Sequence, residues 1–172
     1  TDIGDNKESF DCGRHEDGEA STPFQGPTPW PRTELPLFED TMNAYHRAML
    51  ALAKRLMGLI AQTLGLDTHH FNDSMSDPLS ILRLLHYPSQ SDGHVGTAAH
   101  TDYGCLTILA QDCVQGLEVL VGEPNHTEWV PAQPIQDTFV VNVGDMLEVL
   151  TNGMYKATLH RVIGIPRQER HS

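Results

Sequence analysis

His100 and Asp102 stand two residues apart in Ala98-Ala99-His100-Thr101-Asp102-Tyr103, and His160 comes later, in Thr158-Leu159-His160-Arg161-Val162. In an extended strand residues i and i+2 face the same way, so the first pair presents an imidazole beside a carboxylate. His160 also lies in a segment with strand-like patterning. Two imidazoles and one carboxylate on one face of an octahedral ion leave three positions open, an arrangement suited to Fe(II) chemistry with O2 and a co-substrate. A structural zinc site would instead close four ligands, usually with cysteine.

The His-x-Asp spacing carries little by itself, because ten histidines among 172 residues give about 0.8 such pairs by chance at this aspartate content. A second instance, His15-Glu16-Asp17, lies in an acidic, glycine-rich stretch without strand pattern and reads as solvated surface. His100-Thr101-Asp102 differs in opening the apolar strand Cys105–Ala110. The segment beyond His160 is more specific: Arg170 stands at +10 and Ser172 at +12, a combination expected about 0.02 times by chance. On one strand these two face the same way, and a guanidinium fork with a hydroxyl suits a carboxylate better than it suits packing.

The elements that must position these residues can be read from periodicity. Residues 1–33 are rich in Gly, Pro and acids, which predicts an irregular segment. Apolar residues at three- to four-residue steps from Phe38 to Leu64 predict a helix over 36–64, with Glu39 and Asp40 in its first turn and Gly65 as its stop. From Ser80 the period changes to two. Strands are expected at Ile81–Tyr87, over Thr97–Gln111 with a bend near Gly104, and at Thr138–Val143, Tyr155–Gly164 and from Arg167. Gly116–Val121 and Glu128–Val130 should form a hairpin, and Met146–Leu150 a single helical turn. One helix followed by short strands over 80–172 predicts a mainly β chain, an antiparallel barrel or sandwich backed by the helix. At 172 residues the length predicts a single domain over 1–172.

A formal charge of −12 supplies no basic footprint for nucleic acid. No apolar run reaches membrane-spanning length and no signal peptide is visible, which predicts a cytoplasmic protein with neither membrane nor nucleic acid as partner. Cys12, Cys105 and Cys113 make no CxxC pair and suit buried thiols in a reducing compartment. Asn142 is expected as a turn or strand-end hydrogen bonder, His86 as a core histidine facing away from Tyr87, His69-His70 as a surface pair, and Arg83 as a salt-bridged strand residue rather than a substrate contact.

The runs Leu82-Arg83-Leu84-Leu85-His86-Tyr87-Pro88, Ala99-His100-Thr101-Asp102-Tyr103-Gly104 with Leu106-Thr107, Gln111-Asp112, Gly116-Leu117-Glu118-Val119, Val141-Asn142-Val143-Gly144-Asp145 and Thr151-Asn152-Gly153-Met154-Tyr155-Lys156 lead to His160-Arg161-Val162. Together they resemble the isopenicillin N synthase-like branch of the 2-oxoglutarate and Fe(II)-dependent dioxygenases. The resemblance implies a double-stranded β-helix, or jelly-roll, barrel truncated at both ends, since the usual Pro-x-Ile-Asp-like start and the segment beyond Arg-x-Ser are missing. It implies His100, Asp102 and His160 on iron, with Tyr87, Arg170 and Ser172 holding the distal carboxylate of 2-oxoglutarate. The implied activity couples oxidative decarboxylation of 2-oxoglutarate to hydroxylation or desaturation of a small organic metabolite by O2, with ascorbate a candidate reductant. Two alternatives stand beside it: a direct oxidase of the same branch that uses no 2-oxoglutarate, and a non-catalytic cupin-like barrel that binds a metal or ligand.

Overall fold

The alternation of apolar and polar residues beyond Ser80 is laid out as a series of short antiparallel strands. The computed structural model describes residues 5–13, 26–89, 95–123, 126–164 and 167–172, so His15-Glu16-Asp17 lies outside the described residues. The elements in chain order are β1 (Glu8–Gly13), α1 (Phe38–Thr63), β2 (Ile81–Tyr87), β3 (Val95–His100), β4 (Leu106–Leu109), β5 (Leu117–Glu123), β6 (His126–Pro131), β7 (Val140–Val143), α2 (Asp145–Leu150), β8 (His160–Ile163) and β9 (Arg170–His171). The strands form three sheets, ordered β1-β2-β9, β3-β8-β5-β6 and β4-β7. The described chain divides into two compact units, Thr1–Ser9 with Leu84–Ser172, and Phe10–Arg83.

Within Phe10–Arg83, α1 begins with Glu39 and Asp40 in its first turn, where carboxylates meet the positive end of the helix dipole. Its end is set by Gly65 at φ +73°. The amide of Gly65 bonds to the Gln62 carbonyl at 3.0 Å and that of Leu66 to the Ala61 carbonyl at 2.9 Å, a Schellman closure that an unbranched left-handed residue accepts without strain. Phe10, Trp30 and Phe38 pack ring to ring with centroids 5.4–5.9 Å apart. The expected irregular segment over 1–33 is therefore corrected in part: Glu8–Gly13 is a strand, and Phe10 and Trp30 belong to an apolar cluster. Arg83 makes a two-pronged contact with Asp11, Nε to Oδ1 and Nη2 to Oδ2 at 2.7 Å each.

The other unit carries the sheets around the candidate site. Tyr87, Leu117 and Val162 form its buried core, flanked by Leu85, Leu109, Ala132 and Val140. The β5–β6 hairpin is in register from Glu118↔Pro131 to Glu123↔His126. The strand expected over Tyr155–Gly164 is shortened to His160–Ile163, because the preceding residues make loop bonds instead: Tyr155 N to Thr151 Oγ1 at 3.1 Å and Ala157 N to Glu148 Oε2 at 2.7 Å. Likewise, the last strand is only Arg170–His171 rather than starting at Arg167, a residue that sits at φ +62° in a turn. No helix among the described residues is long and apolar enough to cross a membrane.

Leu147, in α2, is fully buried. Its truncation to Ala should cost about 2–5 kcal/mol of stability, the usual range for a core leucine that leaves a cavity. The shift in urea unfolding midpoint measures this, and a loss below about 0.5 kcal/mol would place Leu147 among tolerant surface positions.

Candidate metal centre and carboxylate site

Strand pairing brings the first two candidate ligands together. β3 and β8 run antiparallel with His100 as the direct register partner of His160, and their rings lie 4.3 Å apart between centroids. Asp102 follows β3 in a turn, with Oδ1 3.7 Å from His100 Nε2 and 3.8 Å from His160 Nε2. One donor atom from each of the three lies within 4.8 Å of the others. The three residues singled out by spacing thus meet at one point.

Both imidazoles are oriented by the same device. His100 Nδ1 lies 2.8 Å from the Ala98 carbonyl and His160 Nδ1 2.9 Å from the Thr158 carbonyl. A carbonyl oxygen can only accept, so each Nδ1 carries a proton and Nε2 is the nitrogen that faces Asp102. This is the tautomer that lets a histidine bind a metal through Nε2.

Asp102 divides its oxygens. Oδ1 faces the histidines, while Oδ2 accepts from Thr107 Oγ1 at 2.6 Å and Asn142 Nδ2 at 2.8 Å. These two donors are register partners across β4 and β7. Burial, the strongest influence, pushes the Asp102 carboxyl up. The bonds from Asn142 and Thr107, together with the nearby His160 and His100, outweigh it and hold the group below the usual carboxylate range. Asp102 is accordingly an anion, as a hard oxygen ligand must be.

The turn bearing Asp102 is held by the start of α2. Asp145 N donates to the Asp102 carbonyl at 2.7 Å and Gly144 N to the Cys105 carbonyl at 3.0 Å. At Gly144 a Cβ would fall 2.2 Å from the Gly104 oxygen and 2.7 Å from the Asp102 oxygen, so only glycine permits the approach.

A second arrangement lies on β9. Arg170 is 3% exposed although it carries a full charge. Nη1 donates to Ser172 Oγ at 3.1 Å and Nη2 to Gln111 Oε1 at 2.9 Å, while the buried Nε has no hydrogen-bond partner among the described residues. Tyr87, its register partner on β2, places its ring 5.0 Å from the guanidinium carbon. The Tyr87 hydroxyl lies 3.3 Å from Thr97 Oγ1. Burial pulls the Arg170 pKa down, though not enough to discharge a guanidinium. The acceptors at its two Nη atoms, Ser172 and Gln111, are neutral, while Tyr87 and the Asp112 carboxylate act in favour of its charge. Burying a cation is costly, and a carboxylate bound against it would lower that cost beyond what Asp112 supplies.

Other expected residues stand apart from this site. Arg83 is engaged with Asp11. His86 is corrected: it does not enter the core but lies half-exposed, its Nδ1 2.7 Å from Glu8 Oε2. Three contributors escaped the sequence reading as site residues: Thr107, Asn142 and Gln111. All three stood in motif runs, but only the β4–β7 register aims Thr107 and Asn142 together at Asp102.

Comparison with known proteins agrees with this geometry. The family model of the 2OG-Fe(II) oxygenase superfamily matches residues 78–172. The sexual differentiation process protein isp7 of Schizosaccharomyces pombe is 39% identical over 150 residues, covering 87% of this chain and 37% of its own length. The 2-oxoglutarate-dependent dioxygenase citB of Monascus ruber is 40% identical over 159 residues, covering 87% and 48%. A full-length Neurospora crassa protein crystallised in complex with alpha-KG superposes with a TM-score of 0.84 at 37% identity, covering 97% of this chain and 53% of that one. The same Neurospora protein bound to alpha-KG and thymine gives 0.82. The fold is mainly β and matches the jelly-roll of such oxygenases. The chain spans about half the length of these relatives or less.

Asn142→Ala removes one of the two donors to Asp102 Oδ2 and should let the carboxyl pKa rise. Loss of a partner that orients a metal ligand typically costs about 10- to 100-fold in metal affinity. Co(II) titration of the folded variant checks it; unchanged affinity would show that Thr107 alone suffices to orient Asp102.

Proposed function

We propose, from the premise that this chain belongs to the 2OG-Fe(II) oxygenase superfamily, that it is the core of a non-haem Fe(II) oxidoreductase with His100, Asp102 and His160 as its metal ligands. The reading is carried above all by the convergence of His100 Nε2, His160 Nε2 and Asp102 Oδ1, with each Nδ1 occupied by a backbone carbonyl. Two imidazoles and one carboxylate would suit Fe(II) and would leave room on it for co-substrate and O2. Bound iron supplies the redox chemistry that consumes 2-oxoglutarate and O2 and releases succinate and CO2.

The residues of the chain bind and orient. Arg170 and Ser172 hold the distal carboxylate of 2-oxoglutarate, with Tyr87 adding a hydroxyl at the same end. Support comes from the buried guanidinium, whose Nε has no hydrogen-bond partner among the described residues, and from the 3.1 Å contact that aligns Ser172 with it. Gln111 holds the guanidinium plane in place. The reaction is hydroxylation or desaturation of a small organic metabolite, and the charge of −12 favours such a substrate over nucleic acid.

Anaerobic titration with Fe(II) and 2-oxoglutarate, followed by the visible metal-to-ligand charge-transfer absorption, tests both halves. His160→Ala should abolish the band. Arg170→Ala should keep iron while weakening 2-oxoglutarate by at least about tenfold, the equivalent of losing one charge-assisted bond. Arg170→Lys should recover only part of this, because an ammonium cannot form the planar fork. Full iron binding by His160→Ala would overturn the ligand set. Substrate oxidation without succinate would point to a direct oxidase.

A further inference from the structure

We propose that the outer face of the β2–β9 pair is a second metal site, built from His86, Glu169 and His171 and suited to a zinc-class divalent ion. One nitrogen of each imidazole and a carboxylate oxygen of Glu169 lie within 4.8 Å of one another, the same clustering seen for His100, Asp102 and His160. The two sites share no residue.

The placement follows from strand geometry. His86 and His171 are register partners in the antiparallel β2–β9 pair, next to the partners Tyr87 and Arg170. Because side chains alternate along a strand, burial of Tyr87 and Arg170 on one face turns His86 and His171 to the other. There the two imidazoles stack with centroids 4.8 Å apart and planes 14° from parallel.

Each ring also has a carboxylate at one nitrogen. His86 Nδ1 is bonded to Glu8 Oε2 at 2.7 Å, and His171 Nδ1 lies 3.5 Å from Asp112 Oδ2. This is the carboxylate–histidine–metal arrangement, in which the outer carboxylate fixes the ring and raises the basicity of the other nitrogen. That other nitrogen, His86 Nε2, is shielded from solvent and has no hydrogen-bond partner among the described residues. It lies 3.7 Å from Glu169 Oε2, too long for a hydrogen bond. Donors on tetrahedral zinc, with bonds of about 2.0–2.1 Å, stand about 3.3 Å apart, so a small closure admits an ion between these atoms. Two imidazoles with one carboxylate select Zn(II) or Cu(II) over Mg(II) or Ca(II).

Zn(II) is the probe. Equilibrium dialysis of the chain against Zn(II), with elemental analysis, should give two ions per chain, one at each three-residue site. His171→Ala should reduce this to one. Glu169→Gln, an exposed and nearly isosteric change, should weaken the second ion at least tenfold, with circular dichroism confirming that both variants stay folded. Retention of two ions at unchanged affinity in both variants overturns the proposal. So does a wild-type chain that binds a single ion lost in His160→Ala. A single ion lost in His171→Ala but kept in His160→Ala upholds this site and removes the other, so the two assignments fail separately.

Discussion

Asp102 is bound at Oδ2 by Thr107 and Asn142 while its Oδ1 looks toward His100 and His160, and the surrounding sheets are arranged around this division of one carboxylate. A free carboxylate beside two imidazoles would rotate and pair with either. Two hydrogen bonds to one oxygen remove that freedom and keep the group ionised despite burial. The donors come from β4 and β7, the imidazoles from β3 and β8, and the turn itself is fastened by the amides of Gly144 and Asp145. Shifting either strand pair by one residue would turn a donor or a ligand to the opposite face.

A similar constraint governs the surroundings of Arg170. β9 is only two residues long, yet it is held on both sides. Ser172 exchanges both backbone hydrogen bonds with Leu85, at 2.7 and 3.0 Å, and Asp112 accepts from the His171 amide through its side chain at 2.6 Å. Arg170 is thereby fixed with its charge inside and neutral acceptors at its two Nη atoms. Burial of the guanidinium lowers stability, the nearby Asp112 carboxylate offsets part of that cost, and an anionic ligand would relieve more of it. Alternation on β9 then puts His171 outside as surely as it puts Arg170 inside.

Much of this was legible without coordinates. Local spacing singled out His100 and Asp102 as neighbours, but the strand ends at His100, and Asp102 meets it from the following turn rather than by strand alternation. The offset from His160 singled out Arg170 and Ser172, and the two meet through the 3.1 Å contact. Periodicity also located β2, the β5–β6 hairpin and the bend at Gly104 between β3 and β4. Conversely, composition misread residues 8–13: Gly and Pro density nearby hid a short strand whose pairing is non-local.

The sequence by itself determined the set of donors and their local facing, since residue type and the period of two act within a few residues. Tertiary structure decided which distant residues complete them. Asn142 becomes the orienting donor of Asp102 because β7 pairs with β4 in one register. Gln111 reaches Arg170 across 59 residues of chain. His86, turned outward opposite Tyr87, meets the carboxylate of Glu8, far away in sequence, because β1 pairs with β2. Such choices rest on register and packing between segments with no local signature, so they emerge only when the strands are assembled.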